Sequence, residues 1–290
     1  MKKPTRGSHN GKVYPQLYAQ DDFVFFLHIP KTAGTAIATA LQRLFAQEHI
    51  LTHEQMNFVR GHDPSIFLSA QFFHGHFTYD VYAYRLPRAP NFILTFLRDP
   101  VAHYVSTYFH LKLEPTFIYD TRLVADEKLA REFHRAIQNS SMEDFFRHEL
   151  ADMFDNFQTR YLVRGLSNEY QDLSDPTLLP IAQRLLVNLP FFGLTERMQD
   201  SLRLLGSTMG AAQRLEVALD NVSRNKPADY ALSATALNEI QRRTTIDRKL
   251  YAFASRAFAD RFSAAEEAGA LPELPEAAGT VQAAPGSYAN

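Results

Sequence analysis

Apolar residues gather in three short unbroken runs, Phe23 to Ile29 (FVFFLHI), Asn91 to Leu97 (NFILTFL) and Phe191 to Leu194 (FFGL), rather than alternating with polar ones. Runs of that length without alternation mark strands covered on both faces, as in a parallel sheet with helices on either side. The first two hand over to helical spacing. Pro30 to Gly34 breaks the first pattern, and Ile37, Leu41, Leu44 and Phe45 then recur on one face of a helix predicted over Thr35 to Gln47. After the second run, Val101, Tyr104, Val105 and Tyr108 form the stripe of a helix that Asp99 caps and Pro100 opens. Between these units Gln71 to Thr78 (QFFHGHFT) reads as a strand edge broken by Gly75.

The second half reads as mostly helical. Ser140 with Glu143 three residues on predicts a capping box and a helix to about Leu150, and Ser174-Asp175-Pro176 starts another through Leu189. Further helices are expected over 198–209, 234–244 and 247–262. Residues 1–20 are polar and punctuated by Gly and Pro, which predicts a flexible arm. From Ala264 to Asn290 the Ala, Glu, Pro and Gly content without periodicity predicts a disordered tail. No repeat or linker divides residues 21–263, so one domain is expected.

Charge and cysteine content narrow the function classes. Thirty Lys and Arg against 32 Asp and Glu leave a net charge of −2, which gives no global field for nucleic acid or an anionic membrane. An anion must therefore be held by a local site. The chain has no cysteine, so disulfides and thiolate metal sites are excluded, in keeping with a cytoplasmic location. The sequence contains no apolar run of about 18 residues, so no membrane span is expected.

The strongest chemistry lies in His28-Ile29-Pro30-Lys31-Thr32-Ala33-Gly34-Thr35-Ala36, between a buried strand and a helix. Such a turn aims backbone N–H groups and the positive helix end at one spot, an anion cradle. Gly34 lets a ligand approach the backbone, Thr32 and Thr35 offer hydroxyls, and Lys31 supplies a compact charge. The lysine precedes the glycine, so this is not the G-x-x-x-x-G-K-[ST] loop of ordinary ATPases. The plainer reading is a connecting turn. Arg98 ends the later strand and Ser106 lies on the helix after it; if the two strands are neighbours, both reach the same carboxyl edge and suit a second phosphate. Taken alone, Arg98-Asp99-Pro100 reads equally as a helix cap with a surface arginine.

Together these segments resemble the sulfotransferases that use 3'-phosphoadenosine 5'-phosphosulfate (PAPS), and within them the carbohydrate group that includes heparan sulfate 2-O-sulfotransferase. The resemblance spans Phe23 to Phe262. It implies that Lys31, Thr32, Ala33, Gly34, Thr35 and Ala36 bind the 5'-phosphosulfate and that Arg98 and Ser106 bind the 3'-phosphate. Phe73-His74-Gly75-His76 is similar to the paired-histidine segment of that group, whose second histidine is taken as the base. Asn156 to Leu162 (NFQTRYL) and Phe192 to Glu196 (FGLTE) also look like its recurrent segments. The family's Golgi anchor and cysteines are not found in this sequence.

The fold class expected is therefore a P-loop-like three-layer α/β/α sandwich with a central parallel sheet and a helical C-terminal half. The function expected is transfer of a sulfuryl group from PAPS to a hydroxyl, with a saccharide as acceptor, Lys31 at the leaving phosphate, His76 as general base and no metal. His74 and His76 share a face of an extended strand, a spacing that also suits a metal or a purely structural pair. Gln158 and Arg160 are candidates to face an anionic sugar, or else belong to a solvated helix flank. Tyr79, Tyr82 and Tyr84 stack on a sugar or pack in the core, and Asn221 to Lys226 (NVSRNK) closes over the donor or forms a basic surface turn. A nucleotide-dependent kinase and a non-catalytic nucleotide or glycan binder are the alternatives.

Overall fold

The computed structural model describes residues 23–52, 69–76, 78, 89–113, 127–163, 175–210, 215 and 231–272. The expected arm, Tyr79, Tyr82, Tyr84, Asn221 to Lys226 and most of the expected tail lie outside the described residues. Five strands, β1 (Val24–Leu27), β2 (Ile50–Thr52), β3 (Phe72–Gly75), β4 (Phe92–Leu97) and β5 (Phe191–Leu194), form one all-parallel sheet in the order β2-β3-β1-β4-β5. All four residues of β1 and of β5 are buried, which accounts for their unbroken apolar sequence.

Register sorts the side chains between two faces. Phe26 lies beside His74 of β3 and Leu94 of β4, so these share one face with Phe72, Phe96 and Phe191. Helix α1 (Gly34–Gln42) covers that face: Phe45 just beyond it stacks on Phe72, 5.0 Å between ring centroids. On the opposite face Phe25 stacks on Phe73, and Phe192 meets Phe258 of the long last helix. Helices thus lie on both faces, and the expected three layers are present. Gly193 sits beside Phe96, whose ring lies across its Cα; a Cβ there would come within 2.4 Å of the ring.

The remaining helices are α2 (Pro100–Leu113), α3 (Glu127–Asn139), α4 (Met142–Arg147), α5 (Phe157–Val163), α6 (Asp175–Asn188), α7 (Met198–Met209), α8 (Ala234–Arg243) and α9 (Thr245–Glu267). Several boundaries differ from expectation. α1 ends at Gln42 rather than Gln47, because the chain tightens into turns at Leu44 and Phe45 that bring Phe45 onto the sheet. The cap of α4 is Ser141, whose hydroxyl accepts from Asp144 N–H, one residue later than the predicted Ser140. α9 runs to Glu267, past the expected tail boundary at Ala264. Asp99 caps α2 as expected, accepting from Ala102 N–H at 2.9 Å.

Beneath the helical half, Arg243 is almost wholly buried and donates to the carbonyls of Phe146 and His148 and to the carboxylates of Asp152 and Asp155. These charge-assisted bonds hold its pKa above the ordinary arginine value, despite the opposing effect of burial.

Candidate active site

In a parallel sheet every strand delivers its C-terminal end to one edge, and here the chain leaving β1, β3, β4 and β5 brings Lys31, His76, Arg98 and Thr195 to that edge. The turn from β1 into α1 is backbone-strained. Lys31 has φ 69° and Ala33 has φ 65°, left-handed conformations that cost a non-glycine residue roughly 1–2 kcal/mol each. Four successive carbonyls are tied back by side-chain donors. Ile29 O accepts from the Thr32 hydroxyl at 2.8 Å and Pro30 O from His103 Nε2 at 2.9 Å. Lys31 O accepts from Arg98 Nη1 at 3.0 Å and Thr32 O from the Thr195 hydroxyl at 3.1 Å.

Left-handed residues within such a turn are the backbone pattern from which anion nests are built. Helix α1 adds its positive end, since no side chain caps its N-terminus and its first turn has no acidic residue. Thr35 is exposed at this opening, whereas Thr32 is fully buried and its hydroxyl holds the turn together, so the Thr32 side chain is not presented to a ligand.

Gly34 has a packing reason to be glycine. The His28 imidazole lies against it so closely that a Cβ would fall 1.8 Å from His28 Nε2. The same ring stacks on Phe26 and meets the ring of His76, 4.4 Å between centroids. One buried imidazole therefore touches both the donor-side turn and the residue predicted as base. His74 lies one step back along β3, with its Nε2 2.8 Å from Gln42 Nε2 of α1, a contact in which the amide donates and the ring nitrogen accepts. Among the described residues no group of three His, Asp or Glu is placed to hold a metal ion.

On α2, His103, Ser106 and His110 fall at helical spacing on one face, and the charge of Lys31 acts on both histidines. Burial, with the charges of Arg98 and Lys31 adding to it, pushes His103 down to about 4; it stays neutral at pH 7 with the Nε2 proton that Pro30 O accepts. Burial and Lys31 likewise hold His110 at about 4. Ser106 is buried on that same face, 6% exposed.

The joint from β4 to α2 is held by side chains from elsewhere. Leu97 O shares the single Thr195 hydroxyl proton with Thr32 O, each at 3.1 Å, and Asp99 N–H donates to Glu196 Oε1 at 3.0 Å. Between them Arg98 N–H donates to Gln158 Oε1 and Arg98 O accepts from Gln158 Nε2, both at 2.9 Å. Gln158 is 2% exposed, so it does not present its amide to a ligand as the sequence suggested. Its helix α5 is capped by Asp247 of α9, which accepts from the N–H groups of Gln158 and Thr159 and from the Thr159 hydroxyl. In return Asn156 Oδ1 caps α9, accepting from Ile246 N–H and Asp247 N–H. Arg160 points away from Gln158, two residues on around the helix, and pairs with Asp175 at 3.5 Å.

The sequence singled out the turn, Arg98 and His76, and the structure brings them to one edge of the sheet; the sequence did not single out the contacts that Thr195 and Gln158 make there. Thr195 carried two signals, its place in the FGLTE segment and its position as the first residue after a buried strand in a parallel sheet.

The fold and the site define an α/β protein with a lysine-bearing turn and an uncapped helix N-terminus at the carboxyl edge of its sheet. The sequence model of the Sulfotransferase family matches residues 15–254, and the chain belongs to that family. The match begins inside the stretch expected to be an arm. Heparan-sulfate 6-O-sulfotransferase 3-B of Danio rerio is 24% identical over 274 residues, covering 83% of this chain and 65% of that protein. Protein-tyrosine sulfotransferase of Arabidopsis thaliana is 25% identical over 126 residues, 42% of this chain and 24% of that protein. The chain thus spans less than two thirds of the length of either.

Proposed function

We propose that the protein transfers a sulfuryl group from 3'-phosphoadenosine 5'-phosphosulfate to an acceptor hydroxyl. The observation that carries this reading is the cradle itself: four carbonyls turned away by Thr32, His103, Arg98 and Thr195, with Lys31 and the α1 terminus beside it, in a chain of the sulfotransferase family. These residues fit the donor, because a doubly anionic ligand meets N–H groups, a helix terminus and two cations with no carboxylate in the first turn of α1.

The donor, once bound, supplies a sulfuryl group whose bond to a bridging oxygen breaks as a new bond forms to the acceptor oxygen. Lys31 through Thr35 hold the 5' end by their N–H groups, while Ala36 N–H, expected from the sequence to join them, donates to Ala33 O at 3.1 Å, and Lys31 neutralises the charge that grows on the leaving phosphate. Arg98 and Ser106 hold the 3'-phosphate. His76 takes the proton of the acceptor hydroxyl, and His28, packed against it, fixes where its ring stands. A saccharide is the acceptor we propose, supported by the similarity to heparan-sulfate 6-O-sulfotransferase 3-B of Danio rerio; a tyrosine hydroxyl is the second reading, supported by the similarity to protein-tyrosine sulfotransferase of Arabidopsis thaliana.

Calorimetry with adenosine 3',5'-bisphosphate and mass analysis of acceptors incubated with the donor test this together. His76→Ala is expected to keep nucleotide affinity within about threefold while transfer falls by a factor on the order of 10² to 10⁴. Lys31→Ala is expected to weaken both. Undiminished transfer by Lys31→Ala, or no nucleotide uptake by the wild-type protein, would remove the basis of the reading.

A further inference from the structure

The geometry points to Gln158 as a positioning residue that sets Arg98 for the 3'-phosphate, an inference that rests on the donor site proposed above. The sheet's ladder ends one residue short of Arg98: β4 pairs with β5 only as far as Leu97 beside Leu194. Arg98 would then be a loop residue with an unsupported peptide, free to turn its side chain anywhere on the edge. Gln158 prevents this. Its carboxamide lies alongside Arg98 as a further strand would, accepting from the N–H and donating to the carbonyl of the same residue at 2.9 Å each. A two-point grip of this kind fixes the peptide plane and hence the direction in which the guanidinium leaves the backbone.

The grip has support on both sides. Thr195 holds the preceding carbonyl and Glu196 the following N–H, so the peptide groups of three successive residues, Leu97, Arg98 and Asp99, are each tied to a side chain from another element. Gln158 is itself immobilised, buried at 2% exposure on a helix whose first N–H groups are bound by Asp247. With its backbone fixed, Arg98 reaches Lys31 O through Nη1 and so stands over the cradle. The line from Asp247 through α5, Gln158 and Arg98 to Lys31 is continuous in hydrogen bonds. Its purpose on this inference is selectivity for a nucleotide that carries the 3'-phosphate over one that lacks it.

Comparing adenosine 3',5'-bisphosphate with adenosine 5'-monophosphate by calorimetry isolates that contribution. Gln158→Leu retains bulk but neither bond, and is expected to lower bisphosphate affinity about tenfold more than monophosphate affinity, which falls only by what the Arg98 tie to Lys31 O contributes, while the acceptor KM stays unchanged. Gln158→Glu, which keeps an acceptor for Arg98 N–H but no donor for its carbonyl, is expected to fall between. In an Arg98→Ala background neither substitution changes the preference further. An equal loss for both nucleotides, or a raised acceptor KM with the preference intact, overturns the inference, the second result restoring an acceptor-facing role. Absence of any bisphosphate preference in the wild-type protein instead defeats the donor-site reading itself. If Gln158→Leu does not fold, Gln158→Glu alone decides.

Discussion

At the scale of single residues, the site is governed by where carbonyls point. Thr195 shows how much one hydroxyl does: it lies 3.1 Å from both Thr32 O and Leu97 O, joining the β1 turn to the β4 joint. Thr195→Val keeps shape and removes the donor, leaving two partly buried carbonyls less well satisfied. We expect unfolding free energy to fall by about 1–2 kcal/mol and bisphosphate affinity to fall several-fold, read by urea denaturation and calorimetry. A stability loss without any loss of affinity would show that the cradle does not depend on this hydroxyl. His28 shows the same economy in packing, since its ring excludes any side chain at residue 34 and meets His76 on its other flank.

At the scale of elements, α5 and α9 start by capping each other across some ninety residues of sequence. Asn156, with φ 47°, gives its side chain to α9, while Asp247 of α9 gives its carboxylate to α5. Asn156→Ala and Asp247→Asn are each expected to cost about 1–2 kcal/mol near pH 4, where Asp247 still contributes, and the double variant less than the sum, because the first removal loosens the contact that the second would lose. Denaturation of the three variants measures the coupling; strict additivity would argue against a shared contact. This scale also sets the limit of what the sequence could say. The strands β1 and β4, the turn between β1 and α1, and helix α7 were legible because continuous apolar runs, a Pro-Lys-Thr-Ala-Gly break and helical spacing are local signals. β2, at three residues, is too short to carry a period, and α3 buries Phe133 and Ile137 within an otherwise charged stretch. Gln158 read as a polar helix residue because its partner, Arg98, lies 60 positions away.

At the scale of the whole molecule, two buried groups titrate in opposite senses. His103 is held at about 4 by burial, below the 6.5 of a free imidazole, so its contribution to stability is complete above pH 6.5 and is lost as pH falls toward 4. Asp247 is raised by burial to about 6, above the ordinary 3.8, so its contribution is complete below pH 3.8 and is lost as pH rises through 6. Each amounts to about 3 kcal/mol across its window, and between pH 4 and 6 they offset one another. Against the wild type, His103→Gln should lose an advantage that grows with pH from 4 to 6.5, and Asp247→Asn one that shrinks from 4 to 6. Unfolding free energies measured at each pH test this, and slopes of the same sign for both variants would refute it.

The donor turn near the start of the chain is completed only from a distance, by Arg98 and His103 and, 163 positions beyond Thr32, by Thr195. A ribosome that has released only the opening third of the molecule has made every amide of the turn and, of its four anchors, the Thr32 hydroxyl alone. On the proposed function, nucleotide uptake therefore reports that the chain has been made and assembled at least through Thr195, and a shorter nascent or clipped polypeptide would not trap an activated sulfate that it could not yet use.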